Sequence, residues 1–153
     1  ADLGLVAAER NRHRNPRVID IASLARALDD VFAPWVKRLA LEVREAGDGE
    51  VLLHLPVTPE HVHAGGVLCG QTLMAAADTS MVLAVMTKLG GFKPMTTVQM
   101  QTSFLRPVPQ EALHVAVRAR VLRMGRTVVF GEVHLLAPDG ALTAQATTTY
   151  ALL

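Results

Sequence analysis

The stretch "HAGGVLCGQTLMAAADTSMVLAVMTKLGG", residues 63–91, decides the fold. From Gly70 to Leu89 it is mostly Ala, Met, Leu and Val, with no Pro and no internal Gly, which predicts one long helix. Apolar residues lie all round that helix, so it belongs inside a core. Gly90 and Gly91 stop it. One carboxylate, Asp78, sits among Met74, Ala75, Ala76, Ala77, Met81, Val82 and Leu83. Burying it without a partner costs about several kcal/mol, so it needs a partner or a task. It is either a structural carboxylate bonded to Thr79, Ser80 or a backbone amide, or a general base or nucleophile in a cleft.

Upstream, Asp20 can cap a helix over residues 21–32, with Leu24, Leu28 and Val31 on one stripe. Pro34 ends it or starts a new turn. "RLALEVREA", residues 38–46, alternates as a strand, "GDG" at 47–49 signals a hairpin, and Val51, Leu53 and Leu55 resume the alternation. Downstream, strands are expected over 96–106, 111–124, 126–137 and 141–151, broken by "RPVP", "MG" and "PDG". Val115, Val117, Ala119 and Val121 alternate cleanly, and so do Val129, Gly131, Val133 and Leu135. Helix, hairpin, long helix and meander fit an antiparallel sheet wrapped around a central helix. The strands are not separated by repeated helices, and no G-x-G-x-x-G or Walker loop occurs, so a doubly wound nucleotide fold is not expected.

The chain has 153 residues, 50% of them hydrophobic, which suits one domain with a sizeable core. Its net charge is +1, with no global pull toward nucleic acid or anionic membranes. Low charge and a mean hydropathy of +0.29 point to apolar surface hidden between subunits. Asp78 interrupts the longest apolar run, so no membrane span is expected. The single cysteine, Cys69, permits no internal disulfide, and with no signal peptide the expected setting is a reducing cytoplasm. Residues 9–17, "ERNRHRNPR", read as a short helix or a solvated or partner-packing arm rather than a phosphate-binding one.

Other polar groups cluster around the long helix. Backbone N–H groups at its start, near Gly70, lack helical partners and suit an oxyanion hole, although glycine there also simply permits a turn. His61 and His63, with Cys69 and Asp78, do not have the spacing of a zinc site, so no metal is expected. In an extended stretch His61 and His63 point to opposite sides, and only one faces the cleft. Cys69 reads as a small buried thiol before a Cys–His nucleophile. Arg106, Arg118, Arg120, Arg123 and Arg126 suit phosphate recognition, or an ordinary polar outer face.

Three stretches, "HVHAGGVLCGQTLMAAAD", "TTVQMQTSFLRPV" and "VLRMGRTVVFGEVHLLAPDGALTAQATTTY", carry a resemblance to the hotdog-fold thioesterases, specifically the phenylacetate-pathway-like acyl-CoA thioesterase family. The resemblance spans roughly residues 37–151. It implies an α+β hotdog fold over 37–153, with residues 1–36 as an added N-terminal arm and helix. It implies hydrolysis of an acyl-CoA thioester, coenzyme A being part of the substrate and no other cofactor being needed. Asp78 matches the general base or nucleophile, and Gly70 the backbone oxyanion donor. Thr97, or Thr96 in a slipped register, matches a helper that holds the water. His63 stands where the family usually has Asn, and Cys69 where it often has His. Arg106, Arg123 and Arg126, with Gly125, are candidates to meet the CoA phosphates. Met74, Met81 and Met100 are candidates for the acyl wall. The family pairs two hotdogs, acid from one subunit and glycine from the other, and dimers associate into a homotetramer. Two readings compete: a hotdog enoyl-CoA hydratase or dehydratase, and a non-catalytic acyl-CoA binder.

Overall fold

The computed structural model describes residues 19–153, so the arginine-rich arm lies outside the described residues. Helix α1 (Ile21–Asp30) opens the described chain, and the Asp20 carboxylate caps it by accepting from the Ser23 N–H at 2.8 Å. Pro34 then starts a 3-10 turn over Pro34–Leu39. The strand expected from residue 38 therefore begins only at Glu42. Val36 and Leu39, three apart, are both buried on that turn, and Ala40 at φ 54 breaks any extended run. Strands β1 (Glu42–Gly47) and β2 (Glu50–Pro56) form the expected hairpin across Asp48 and Gly49.

Helix α2 (Gly70–Leu89) has the bounds its sequence predicts, and Gly90 closes it at φ 78. Its length and apolarity would suit a bilayer. Here β2, β4 and β5 pack on it instead. Strands β3 (Met95–Phe104), β4 (His114–Met124), β5 (Val128–Leu136) and β6 (Leu142–Leu152) complete an antiparallel sheet in the order β1-β2-β4-β5-β6-β3. Residues 111–113 are not strand: they lead out of a turn in which the Ala112 N–H bonds to the Pro109 carbonyl. The late strands are not one simple meander. β4, β5 and β6 run consecutively, while β3 lies at the far edge against β6.

The inward residues Leu53, Leu55, Val115, Val117, Val133 and Leu135 are fully buried against α2, as the alternation predicts. Gly131 lets the helix approach: a Cβ there would overlap the end of the Met81 side chain. Leu24 and Ala27 of α1 join the same core. On the outer face, Arg118 pairs with Glu50 at 2.8 Å and Arg120 pairs with Glu132, so these two arginines belong to a polar surface.

Candidate active site

Asp78 lies midway along α2, half-buried, where the helix passes the start of β3. Its Oδ1 accepts two hydrogen bonds, from Thr97 Oγ1 at 3.0 Å and from the Tyr150 hydroxyl at 2.5 Å. Thr97 and Tyr150 are direct partners across β3 and β6. A bulge at Val98 makes this possible. Thr97 faces Tyr150 and Met100 faces Thr148, so three steps on β3 match two on β6. Strict alternation could not place both Thr97 and Met100 inward. Thr96 pairs with Ala151 instead, and of the two threonines Thr97 is the one that reaches the carboxylate.

Tyr150 was not anticipated from the sequence. Two signals were present: it is the chain's one tyrosine, and it continues the inward series Ala144, Ala146, Thr148. It is fully buried. Burial, then the neighbouring carboxylate, pushes its phenol far above the ordinary tyrosine value, so it stays protonated and donates.

The carboxylate opens into a cavity of about 320 Å³. Phe32, Trp35, Val82, Phe92 and Met95 are among its walls, and among the described residues Asp78 is the only charged one that lines it. Part of the wall comes from Val31–Val36, outside the long helix and late strands. Met74, Met81 and Met100 do not line it: Met81 is core, under Gly131, and Met100 packs against the core's edge.

Gly70 lies elsewhere. It is the first residue of α2, and its N–H bonds to no acceptor among the described residues. Phe104, at the end of β3, sits over it: a Cβ on residue 70 would lie 3.2 Å from the Phe104 Cζ. The cleft beside Gly70 includes Leu68, Leu73, Leu105 and Arg106. Eight residues of helix, about 12 Å of rise, separate Gly70 from Asp78. One protomer therefore does not bring the two to a single carbonyl group.

His63 is exposed in the loop before α2, its Nδ1 accepting the Gly65 N–H at 2.9 Å. That bond leaves the Nε2 as the protonated, donating nitrogen of the neutral ring. His61 turns away, its Nε2 3.0 Å from the Arg38 carbonyl oxygen. Cys69 lies 3.0 Å from Thr72 Oγ1, a local contact, and no histidine among the described residues hydrogen-bonds its thiol. Arg123 and Arg126 flank Gly125 in the β4–β5 turn, where the Gly125 N–H bonds to the Val128 carbonyl at 2.8 Å. The ladder places that turn at the Thr97 end of β3, and Arg106 follows the opposite end. Among the described residues, no three His, Cys, Asp or Glu side chains are grouped to hold a metal ion.

Comparison with known proteins adds a family. Residues 65–144, just over half of the chain, match the family model described as the thioesterase superfamily. A Saccharolobus solfataricus protein named as a candidate esterase is 28% identical over 133 residues, 87% of this chain and 90% of its own. The E. coli PaaI protein, from the phenylacetic acid degradation operon, superposes with a TM-score of 0.76 at 16% identity, over 87% of this chain and 93% of its own. A Streptococcus pneumoniae protein described as a hypothetical thioesterase, solved with coenzyme A, gives 0.68 at 19% identity, over 74% and 85%. These two likenesses carry the fold, a hotdog sheet around one helix.

Proposed function

The chain belongs to the thioesterase superfamily, and we propose that it hydrolyses an acyl-CoA thioester to the free acid and CoA in a site shared by two subunits. The observation that carries this reading is Asp78. One carboxylate oxygen is held by Thr97 and Tyr150, and the other accepts no hydrogen bond from a described residue, at the wall of an apolar cavity. A held carboxylate facing an acyl-sized cavity suits attack on a carbonyl carbon, either directly or through a water whose proton it takes. The carbonyl oxygen gains charge as the carbon becomes tetrahedral. Collapse then expels the CoA thiolate, leaving the free acid where water attacked, or an acyl-aspartyl anhydride that a water then cleaves to the acid where Asp78 attacked directly.

The oxyanion donor is the Gly70 amide of a second subunit. β3 is an edge strand ten residues long, largely exposed, with one side of its backbone unpaired among the described residues. Antiparallel pairing of β3 with its own copy would set the Phe104 end of one beside the Thr97 end of the other. Gly70 would then face the partner's acid. The same pairing would gather Arg106 of one subunit with Arg123 and Arg126 of the other, three cations for a substrate with three phosphates. The Nε2–H of His63 offers the hydrogen bond that an Asn amide gives elsewhere in the family. The coenzyme A bound to the Streptococcus protein of the same fold supports this substrate class.

The test is thiol release from a panel of short, medium, long and aryl acyl-CoAs, beside Asp78→Asn. Release by the parent protein that falls at least a hundredfold in Asp78→Asn is the expected outcome. No release from any acyl-CoA would overturn hydrolysis. Water addition to an enoyl-CoA without thiol release would indicate a hydratase instead.

A further inference from the structure

We propose that Tyr150 is a positioning residue, holding Asp78 so that one carboxylate oxygen is occupied and the other faces the thioester; this rests on the hydrolase reading above. The phenolic oxygen lies 2.5 Å from Asp78 Oδ1 and 3.2 Å from the backbone carbonyl of the same residue. A hydroxyl has one proton, and the nearer, charged oxygen takes it. Thr97, its partner across the ladder, brings a second donor to the same Oδ1 at 3.0 Å.

The side-chain torsion of an aspartate that turns its carboxylate is broad, so an untethered Asp78 would sample many planes. Two donors from adjacent strands converging on one oxygen select one plane. The ring is enclosed by the core and cannot follow a moving helix side chain. Thr97, on the exposed edge strand, is the weaker anchor of the two. A buried hydroxyl needs an acceptor, and the Asp78 backbone carbonyl at 3.2 Å could serve for a tyrosine kept only for its bulk. This one lies nearer the carboxylate of Asp78, the only charged residue among the described ones that line the cavity. Tyr150 also lies beyond residues 65–144, so the family match does not assign it.

The experiment is Tyr150→Phe beside Asp78→Asn, with kcat, KM and melting temperature measured for each. Tyr150→Phe keeps the ring and loses only the hydroxyl. We expect kcat to fall about tenfold or more, with KM within about twofold of the parent and the fold intact. A second readout does not depend on the Phe variant folding. The chain has one tyrosine, so 3-fluorotyrosine labels this position alone. Its fluorine resonance should move when Asp78→Asn removes the carboxylate. Loss of activity in Asp78→Asn, with Tyr150→Phe keeping kcat within about twofold, would overturn the positioning role alone, as would a fluorine line indifferent to Asp78→Asn. Full activity in Asp78→Asn would overturn the catalytic role of Asp78 together with this one, whereas no thiol release by the parent protein would overturn the hydrolase reading itself.

Discussion

Gly70→Pro removes one amide hydrogen and little else, which makes it a direct test of the shared site. Proline is favoured at the first position of a helix, where its missing N–H has no helical acceptor. Gly70 holds that position in α2. The preceding residue must be extended, and Cys69 already is, at φ −71 and ψ 147. No hydrogen bond to a described residue is lost, because the Gly70 N–H makes none. The steric demand falls on Phe104, whose ring would lie 3.2 Å from the new Cβ but is half exposed and can yield. Gly70→Ala makes the same contact and keeps the amide, so it controls for the ring. Losing one oxyanion donor costs ~2.7–4 kcal/mol, or roughly a hundred- to a thousandfold in kcat. Gly70→Pro should fall that far below Gly70→Ala in thiol release. The donor must also come within about 3 Å of the oxyanion, whereas Asp78 stands about 12 Å along the same helix. Two inactive proteins, Gly70→Pro and Asp78→Asn, should therefore restore each other. After random subunit exchange about half the dimers are hybrids with one intact site of two, giving about a quarter of parental activity. Hybrids verified by mass spectrometry yet no more active than their parents would refute the shared site. Gly70→Pro running at the rate of Gly70→Ala would refute the oxyanion role.

Two further outcomes follow from the cavity wall and the sheet's outer face. Trp35 is 51% exposed at the wall of the Asp78 cavity, so Trp35→Ala should lower kcat/KM for large acyl groups by about tenfold, with a smaller change for acetyl-CoA and a stability change of under about 1 kcal/mol; equal losses across the panel would count against its role as an acyl wall. His54 stacks on His114 with ring centroids 4.0 Å apart, and burial, then His114, then Arg44 hold its imidazole below the usual 6.5, opposed by Glu42. The unfolded chain then takes up a proton that the folded one refuses, so stability should fall as pH drops below about 6.5 and level off below the folded value. Melting temperature measured against pH should drop less steeply for His54→Gln, and identical slopes would remove His54 from the account.

What could be read from the sequence was set by local chemistry. Helix α2 was legible to both ends because an unbroken run of helix formers meets a glycine that can take φ 78. The inward faces of β4 and β5 were legible because their alternation needs no knowledge of the partner strand. Leu39 and Leu41 misled, since an alternating pair looks the same whether a strand or a 3-10 turn carries it. Val36, three before Leu39, held the better clue. Asp78 stood out because a carboxylate in an apolar helix demands a reason, but the reason lay seventy-two residues away in Tyr150. Nothing local ties those two together. Their meeting depends on β6 running past the helix, and Thr97 joins them because β3 crosses to the far edge of the sheet and pairs with β6. Met74, Met81 and Met100 fell outside the Asp78 cavity for the same reason. A methionine's suitability to line a cavity can be judged from its type, but Gly131 determined where Met81 went, and the turn after α1 determined what took its place. Candidate residues could thus be picked out by type, while which of them meet was fixed by the order in which the strands pair.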